Sequence, residues 1–282
     1  MATSIDETAR IHPGAKLGAD VVVGPYCMVG DNVVIGDGTV LEAFAQVKPY
    51  TRMGANNHIH SYAIIGGEPQ HLGFKGEETW VEMGDGNIVR EFVTIHRGTV
   101  QGHGKTVIGS RCLLMAYVHI AHDCILGDNV IMSNASSLAG HVTIGDGAIV
   151  SGMSGVHQFV RIGEFAFLGA MGGFGQDIPP YTIATGVRAK LHGLNKIGLR
   201  RRGFDRDTIT ALKRAYRKIF RSDMIREEAL EEVQESLGHV PQVMKLVEFV
   251  KNSPRGVTPS ARTGTNGLPA EDGDVNDGDS DE

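Results

Sequence analysis

Over most of this chain every sixth residue is apolar. From Ile5 the series runs Ile11, Leu17, Val23, Val29, Ile35, Leu41, Val47, Met53, Ile59 and Ile65. It resumes in phase at Met83, Val89 and Ile95. After one added residue it continues at Ile108, Leu114, Ile120, Leu126, Met132, Leu138, Ile144, Val150, Val156, Ile162, Leu168 and Phe174. No member is polar, although apolar residues make up only about half of typical usage. A period of six fits neither the 3.6-residue helix nor an unbroken alternating strand. It fits a short strand and a turn, repeated. Glycine follows the apolar position in many hexads, as at Gly18, Gly36, Gly127 and Gly145, and is expected to supply turn conformations that other residues resist. Three such strands close a triangular coil, and coils stack at about 4.8 Å. Each aliphatic side chain buried inside the prism contributes roughly 1.5–3 kcal/mol before entropy is subtracted.

The series breaks twice. Residues 66–82, GGEPQHLGFKGEETWVE, replace what would be one coil's worth of hexads and hold Gln70, His71 and the only tryptophan, Trp80. Residues 100–105, VQGHGK, form a short glycine-rich bulge. Loops on a rigid scaffold are where binding residues concentrate, although insertions of this kind are also tolerated as plain surface loops. The hexads end near Gly186. Apolar residues then recur at helical spacing, at Ile209, Leu212, Tyr216, Ile219 and Phe220, with Asp205 or Asp207 placed to cap a helix. A further helix is expected over 242–251. Three regions are therefore predicted: a β-prism over 1–186 with its two insertions, an α-helical subdomain over 187–252 that caps the open strand edges, and a disordered acidic tail over 253–282.

Composition narrows the possibilities. Glycine at 38 of 282 residues excludes a helical bundle, and the formal charge of −6 gives no overall attraction to nucleic acid. The N-terminus reads MATSIDETAR, with neither the basic start nor the apolar run of a signal peptide. No apolar stretch approaches the length of a membrane span, so stable membrane insertion is not expected. Cys27, Cys112 and Cys124 lack metal or redox spacing and are expected to be reduced core thiols of a cytoplasmic protein.

The candidate chemistry lies in the histidines. His119 and His122 flank the hexad position Ile120, and Asp123 follows directly. His141 falls about one coil beyond His122 and His157 nearly one coil further, which predicts a vertical stripe of imidazoles on the outer surface. Such a stripe is open to three readings: solvated polar residues, a three-histidine zinc site, or a general base whose imidazole is held by Asp123. A prism cannot cover its own outer face, so a symmetric trimer is expected to enclose the stripe between subunits.

The six-residue pattern resembles that of left-handed parallel β-helix proteins. That resemblance implies a mainly β fold with a left-handed coil, whereas general crossover rules would favour a right hand. VTIHRGTV, HIAHDC, LAGHV, VHQF, QDIPPY and RRGF, in that order over roughly residues 5–250, resemble the family of UDP-N-acetylglucosamine acyltransferases that begins lipid A synthesis. The resemblance implies transfer of an (R)-3-hydroxyacyl group from acyl carrier protein to the 3-hydroxyl of UDP-N-acetylglucosamine by a homotrimer, with no cofactor, no metal and no covalent enzyme intermediate. By position it implies His122 as general base, Asp123 as its orienting partner and Gly140 as backbone donor to the oxyanion. Gln70, His71, His96, His119, His141, His157 and Gln158 match substrate-contacting positions, and Asn195, Arg201 and Arg202 match the nucleotide side. Between Arg188 and Arg226 basic residues are dense, which suits either an acidic carrier protein or ordinary solvated helix faces. Two departures bear on substrate choice. His71 stands where the family commonly has aspartate, and Gly73 where it has lysine, which leaves an amino-sugar acceptor and an amide product open. Ala170 stands where side-chain size limits acyl length.

Overall fold

The computed structural model describes residues 3–261. Its three sheets, of eleven, nine and eight strands and parallel throughout except for the last strand of the largest, form the sides of a triangular prism, and successive strands of the coils pass from one side to the next. Most strands are two residues long, and most residues pair with the one eighteen positions on, as Ile120 with Leu138 and Leu114 with Met132. The architecture is the left-handed parallel β-helix of the sequence reading, with a small helical part at its C-terminal end.

The hexad residues form the core. Ile35, Leu41, Ile59, Ile65, Ile95, Ile120, Leu138 and Leu168 are all fully buried. A second inward column stands two residues before each of them and takes small or medium side chains, such as Ala45, Ala63, Val118, Ser136 and Ala148. The pairing of large with small fills the triangular cross-section to interior density. All three cysteines are free and buried in this second column. Burial raises their thiols, to about 11 at Cys112 and about 12 at Cys124, so they are inert side chains of the core.

The turn glycines do a different job from the one predicted. Positive φ falls mostly on the second turn residue, which is seldom glycine: Asn32 (53°), Asp123 (59°), His141 (62°) and Phe159 (65°) are examples. The glycine just after the strand instead permits close approach between coils. A Cβ at Gly36 would lie 2.4 Å from the Gly54 carbonyl carbon.

The first insertion is shorter than one coil. Ile65 belongs to the nine-stranded sheet, and the next strand, Trp80–Met83, already belongs to the eight-stranded one, with Met83 paired to Met53. The chain therefore leaves the prism for two hexads and no coil is lost. The strands Ile64–Gly67 and Trp80–Met83 reach into the first predicted insertion from either side, and Lys105–Ile108 into the end of the second.

The C-terminal region differs in two respects from the expectation. It opens with a strand, Lys190–Leu194, paired antiparallel to Thr182–Thr185 across the end of the prism. Four helices follow: α1 (Lys196–Arg201), α2 (Arg206–Arg221), α3 (Arg226–Leu237) and α4 (Pro241–Lys251). Asp205 caps α2 through Thr208 N–H at 2.8 Å. The chain beyond 253 does not begin as a free tail. Thr258 N–H donates to the Asp177 carbonyl and Ala261 N–H to that of Leu191, and Thr258 is buried, so residues 253–261 pack back onto the prism end. The acidic segment 262–282 lies outside the described residues. No helix among those described is long and apolar enough to cross a membrane.

Candidate active site

The corner that follows the strand His119–Ile120 carries the cluster. Ile120 points inward, so the chain must turn immediately after it. Asp123 takes the left-handed conformation that completes the turn, which a short polar side chain tolerates. His122 is thereby projected onto the outer corner, and its Nδ1 lies 2.8 Å from Asp123 Oδ2.

Asp123 is the most constrained group of the site. Its side chain has no exposed surface. Both carboxylate oxygens accept the Thr99 backbone N–H at 3.0 Å, Oδ2 accepts the Thr99 hydroxyl at 2.7 Å, and Oδ1 accepts the His103 N–H at 2.9 Å. Its own N–H donates to Thr106 Oγ1 at 2.9 Å. Burial pushes this carboxyl up, but the donors from Thr99, His122 and His103 outweigh it and hold its pKa below the ordinary value. The second insertion is thus a cradle: its backbone wraps the carboxylate, and a Cβ at Gly102 would lie 2.3 Å from the Asp123 carboxyl carbon. Sequence reasoning marked the bulge at 100–105 but missed Thr99, His103 and Thr106. The available signal was the threonine directly preceding a glycine-rich interruption.

With Nδ1–H donated to a carboxylate, the free nitrogen of a neutral His122 is Nε2, as a base requires. Gly140, one coil on, lies against that ring: a Cβ there would be 2.6 Å from His122 Cε1 and 2.9 Å from Nε2. Gly140 is buried, and its N–H has no acceptor among the described residues. His141 packs edge-on to His122 at 5.1 Å between ring centres, and His71 does the same from the other side at 5.4 Å. Burial lowers the pKa of His141, the nearby Asp123 partly opposing it.

A groove of about 830 Å³ runs from this corner along the outside of the nine-stranded sheet. Gln70, His119, His122, Gly140, His157 and Phe174 line it, and Arg188 and Lys190 stand at its far end. Its floor is made of small or apolar residues such as Ala121, Ala139, Gly155 and Gly173. A polar cluster at one end and an apolar floor suit a ligand with a reactive head and a hydrocarbon chain.

Not every predicted residue sits there. His96 is buried behind His119, with ring centres 4.9 Å apart, and touches Gly67 instead of the groove. Burial, with His119 and His122 nearby, lowers its pKa to about 4. His119 accompanies it: burial lowers its pKa, and its Nδ1 lies 2.8 Å from Thr94 Oγ1. The predicted imidazole stripe is interrupted, because the residue stacked on His141 is Phe159, at 4.5 Å. His157 lies one column over, within the groove, and Gln158 is exposed beside it. Asn195 caps α1 through Gly198 N–H at 3.1 Å and donates to the Phe165 carbonyl. It lies near Phe165, as does Arg202, which also approaches Gly147, at a different prism edge from His122, and Arg201 is the exposed last residue of α1. Ala170 is exposed on the third edge, outside the groove lining. One chain alone therefore does not bring Asn195, Arg201, Arg202 or Ala170 to the cluster.

Comparison with known proteins is consistent along the chain. Residues 177–258 match the family model described as UDP-N-acetylglucosamine O-acyltransferase, domain 2, and residues 2–36 and 105–140 match the bacterial transferase hexapeptide model. The chain is 52% identical over 253 residues to the acyl-carrier-protein-dependent UDP-N-acetylglucosamine O-acyltransferase of Thermodesulfovibrio yellowstonii, covering 90% of this chain and 98% of the relative. It is 46% identical to the enzyme of the same name from Halorhodospira halophila, covering 90% and 99%. The crystal structure of UDP-N-acetylglucosamine O-acyltransferase from Moraxella catarrhalis superposes with a TM-score of 0.88 at 45% identity, covering 90% of this chain and 99% of that one.

Proposed function

The chain belongs to the family of UDP-N-acetylglucosamine O-acyltransferases, and from that membership we infer that it transfers an (R)-3-hydroxyacyl group from acyl carrier protein to the sugar 3-hydroxyl, the first step of lipid A synthesis. The observation that carries the mechanism is the His122 ring, fixed at 2.8 Å from a buried carboxylate with Nε2 left free beside Gly140.

His122 Nε2 takes the proton of the 3-hydroxyl as that oxygen attacks the thioester carbonyl. The negative charge that develops on the carbonyl oxygen is met by the Gly140 N–H, a donor already in place. Asp123 holds the tautomer and stabilises the imidazolium. Collapse of the tetrahedral intermediate breaks the carbon–sulfur bond, and the imidazolium returns its proton to the departing carrier thiolate. The thioester is already activated, so no covalent enzyme intermediate is required. Base catalysis of this kind contributes about 10²–10⁴-fold in rate.

The groove beyond His122 receives the acyl chain, and Arg188 and Lys190 at its far end, with the exposed Arg214 and Arg217 of α2, offer positive charge to an acidic carrier. Gln70, His71, His119, His141, His157 and Gln158 contact substrate from one subunit. Asn195, Arg201, Arg202 and Ala170 do so from a neighbour, which is why the assembly is a trimer with its sites between subunits. The relatives are named for an oxygen acceptor, so an amine acceptor is not favoured despite His71. Free cysteines suit the reducing cytoplasm. Incubation of the wild type and of His122→Ala with 3-hydroxyacyl carrier protein and either UDP-N-acetylglucosamine or its 3-amino analogue tests this: an ester product lost in the variant is expected, and turnover that survives in His122→Ala refutes the assignment.

A further inference from the structure

Away from the groove, three side chains that acyl transfer does not use converge on one point. His58 and His60 flank the inward-pointing Ile59 of a strand, so both imidazoles project outward on one face. Their rings stack at 4.2 Å, inclined by 11°. Glu42 follows Leu41, which pairs with Ile59, and so stands one coil below. Its Oε1 lies 2.8 Å from His58 Nε2 and 3.1 Å from His60 Nδ1.

We propose that Glu42, His58 and His60 form a binding site for a divalent transition cation of the zinc, cobalt and nickel class. One nitrogen from each ring and one carboxylate oxygen lie within 4.8 Å of one another. Imidazole with carboxylate is a donor set such cations favour over calcium or magnesium. The donors stand on adjacent, hydrogen-bonded strands, so little ordering is needed when the ion arrives. His58 is 43% exposed, which gives access from solvent and leaves room for water to complete the coordination shell. Arg90, whose charge reaches Glu42 only through space, is itself committed to Glu91 by two 3.0 Å hydrogen bonds.

The same donor types occur at His122, Asp123 and His141. There the carboxylate is already filled by the Thr99 and His103 donors and is enclosed. Glu42 has no such cradle. Besides the two imidazoles it receives only long contacts from Ser61, at 3.3 and 3.4 Å. The cation displaces the proton shared between ring and carboxylate, so binding releases protons and weakens as pH falls.

The test is titration of chelator-stripped, full-length protein with Co²⁺ and with Zn²⁺, followed by visible absorption and calorimetry. One Co²⁺ per chain is expected, with the absorption of imidazole-ligated cobalt and a rise in the unfolding midpoint. His58→Ala and His60→Ala each abolish this binding, Glu42→Gln weakens it at least about tenfold, and His141→Ala leaves it intact. Acyl transfer is unchanged in His58→Ala, whose exposed ring supports no core contact, and circular dichroism verifies the fold of each variant. Absence of stoichiometric binding in the wild type leaves only a hydrogen-bonded imidazole–carboxylate cluster and overturns the proposal, as does binding that persists in His58→Ala.

Discussion

The Asp123 carboxylate receives the Thr99 backbone N–H on both of its oxygens, at 3.0 Å each, and the Thr99 hydroxyl at 2.7 Å. A residue 24 positions earlier in the chain therefore sets the orientation of the acid that steadies His122. Thr99→Val keeps the backbone donor and removes the hydroxyl. Loss of a hydrogen bond to a charged group costs about 1.5–3 kcal/mol, so a lower denaturation midpoint and reduced kcat are expected. A variant with wild-type stability and turnover refutes the cradle's role.

Gly140→Ala places a methyl 2.6 Å from His122 Cε1. The ring must move away from the oxyanion position while the prism stays folded. Turnover is expected to fall by about 10²-fold or more with little change in the unfolding midpoint. Steady-state kinetics alongside thermal denaturation separates this outcome from misfolding.

Stability depends on pH through His96. Its folded pKa of about 4 lies below the ordinary histidine value, because burial disfavours the charged ring. The unfolded chain therefore binds the extra proton first as pH drops. Full stability is present above about pH 6.5 and is lost progressively down to about pH 4, by roughly 3 kcal/mol at most. Asp123, also depressed, adds a further loss only below about pH 4. Urea denaturation across this range is expected to show the decline, and His96→Gln to flatten its upper part.

At Gly36 a Cβ would meet the Gly54 backbone at 2.4 Å, in the next coil. Gly36→Ala forces the two coils apart and is expected to destabilise by about 1–3 kcal/mol, the usual range for overpacking. Thermal unfolding checks it, and an unchanged midpoint contradicts the close-approach reading of the turn glycines.

Acyl length tests the shared site. Ala170→Gly is expected to lengthen the preferred chain, as read by mass spectrometry of products from mixed acyl carrier thioesters. Because Ala170 is exposed and outside this chain's own groove, any effect has to pass through an adjoining subunit. An unaltered product profile removes Ala170 from the specificity determinants.

The hexad core was legible because burial in a narrow prism leaves no choice at positions such as Ile120 and Leu138. The glycines misled on mechanism, since sequence does not reveal which turn residue takes positive φ and which lies against the next coil. HIAHDC announced the contact between the His122 ring and the Asp123 carboxylate, because those two residues are adjacent in the chain. Thr99 and the His103 N–H stayed hidden for the opposite reason: their contact with Asp123 depends on how one enlarged turn folds over the following coil. Phe159 in place of His157 above His141 was a register error of two residues, enough to move a side chain to the neighbouring column. Glu42, His58 and His60 were invisible without knowing that Leu41 lies beneath Ile59.

Each coil of the prism rests only on the coil below and the coil above. The enlarged turn at Thr99, the His122 corner and Gly140 occupy successive levels of that stack. Damage several storeys away alters how readily the tower comes apart yet leaves these levels in register, so catalysis is insulated from lesions elsewhere along the axis as long as the stack stands.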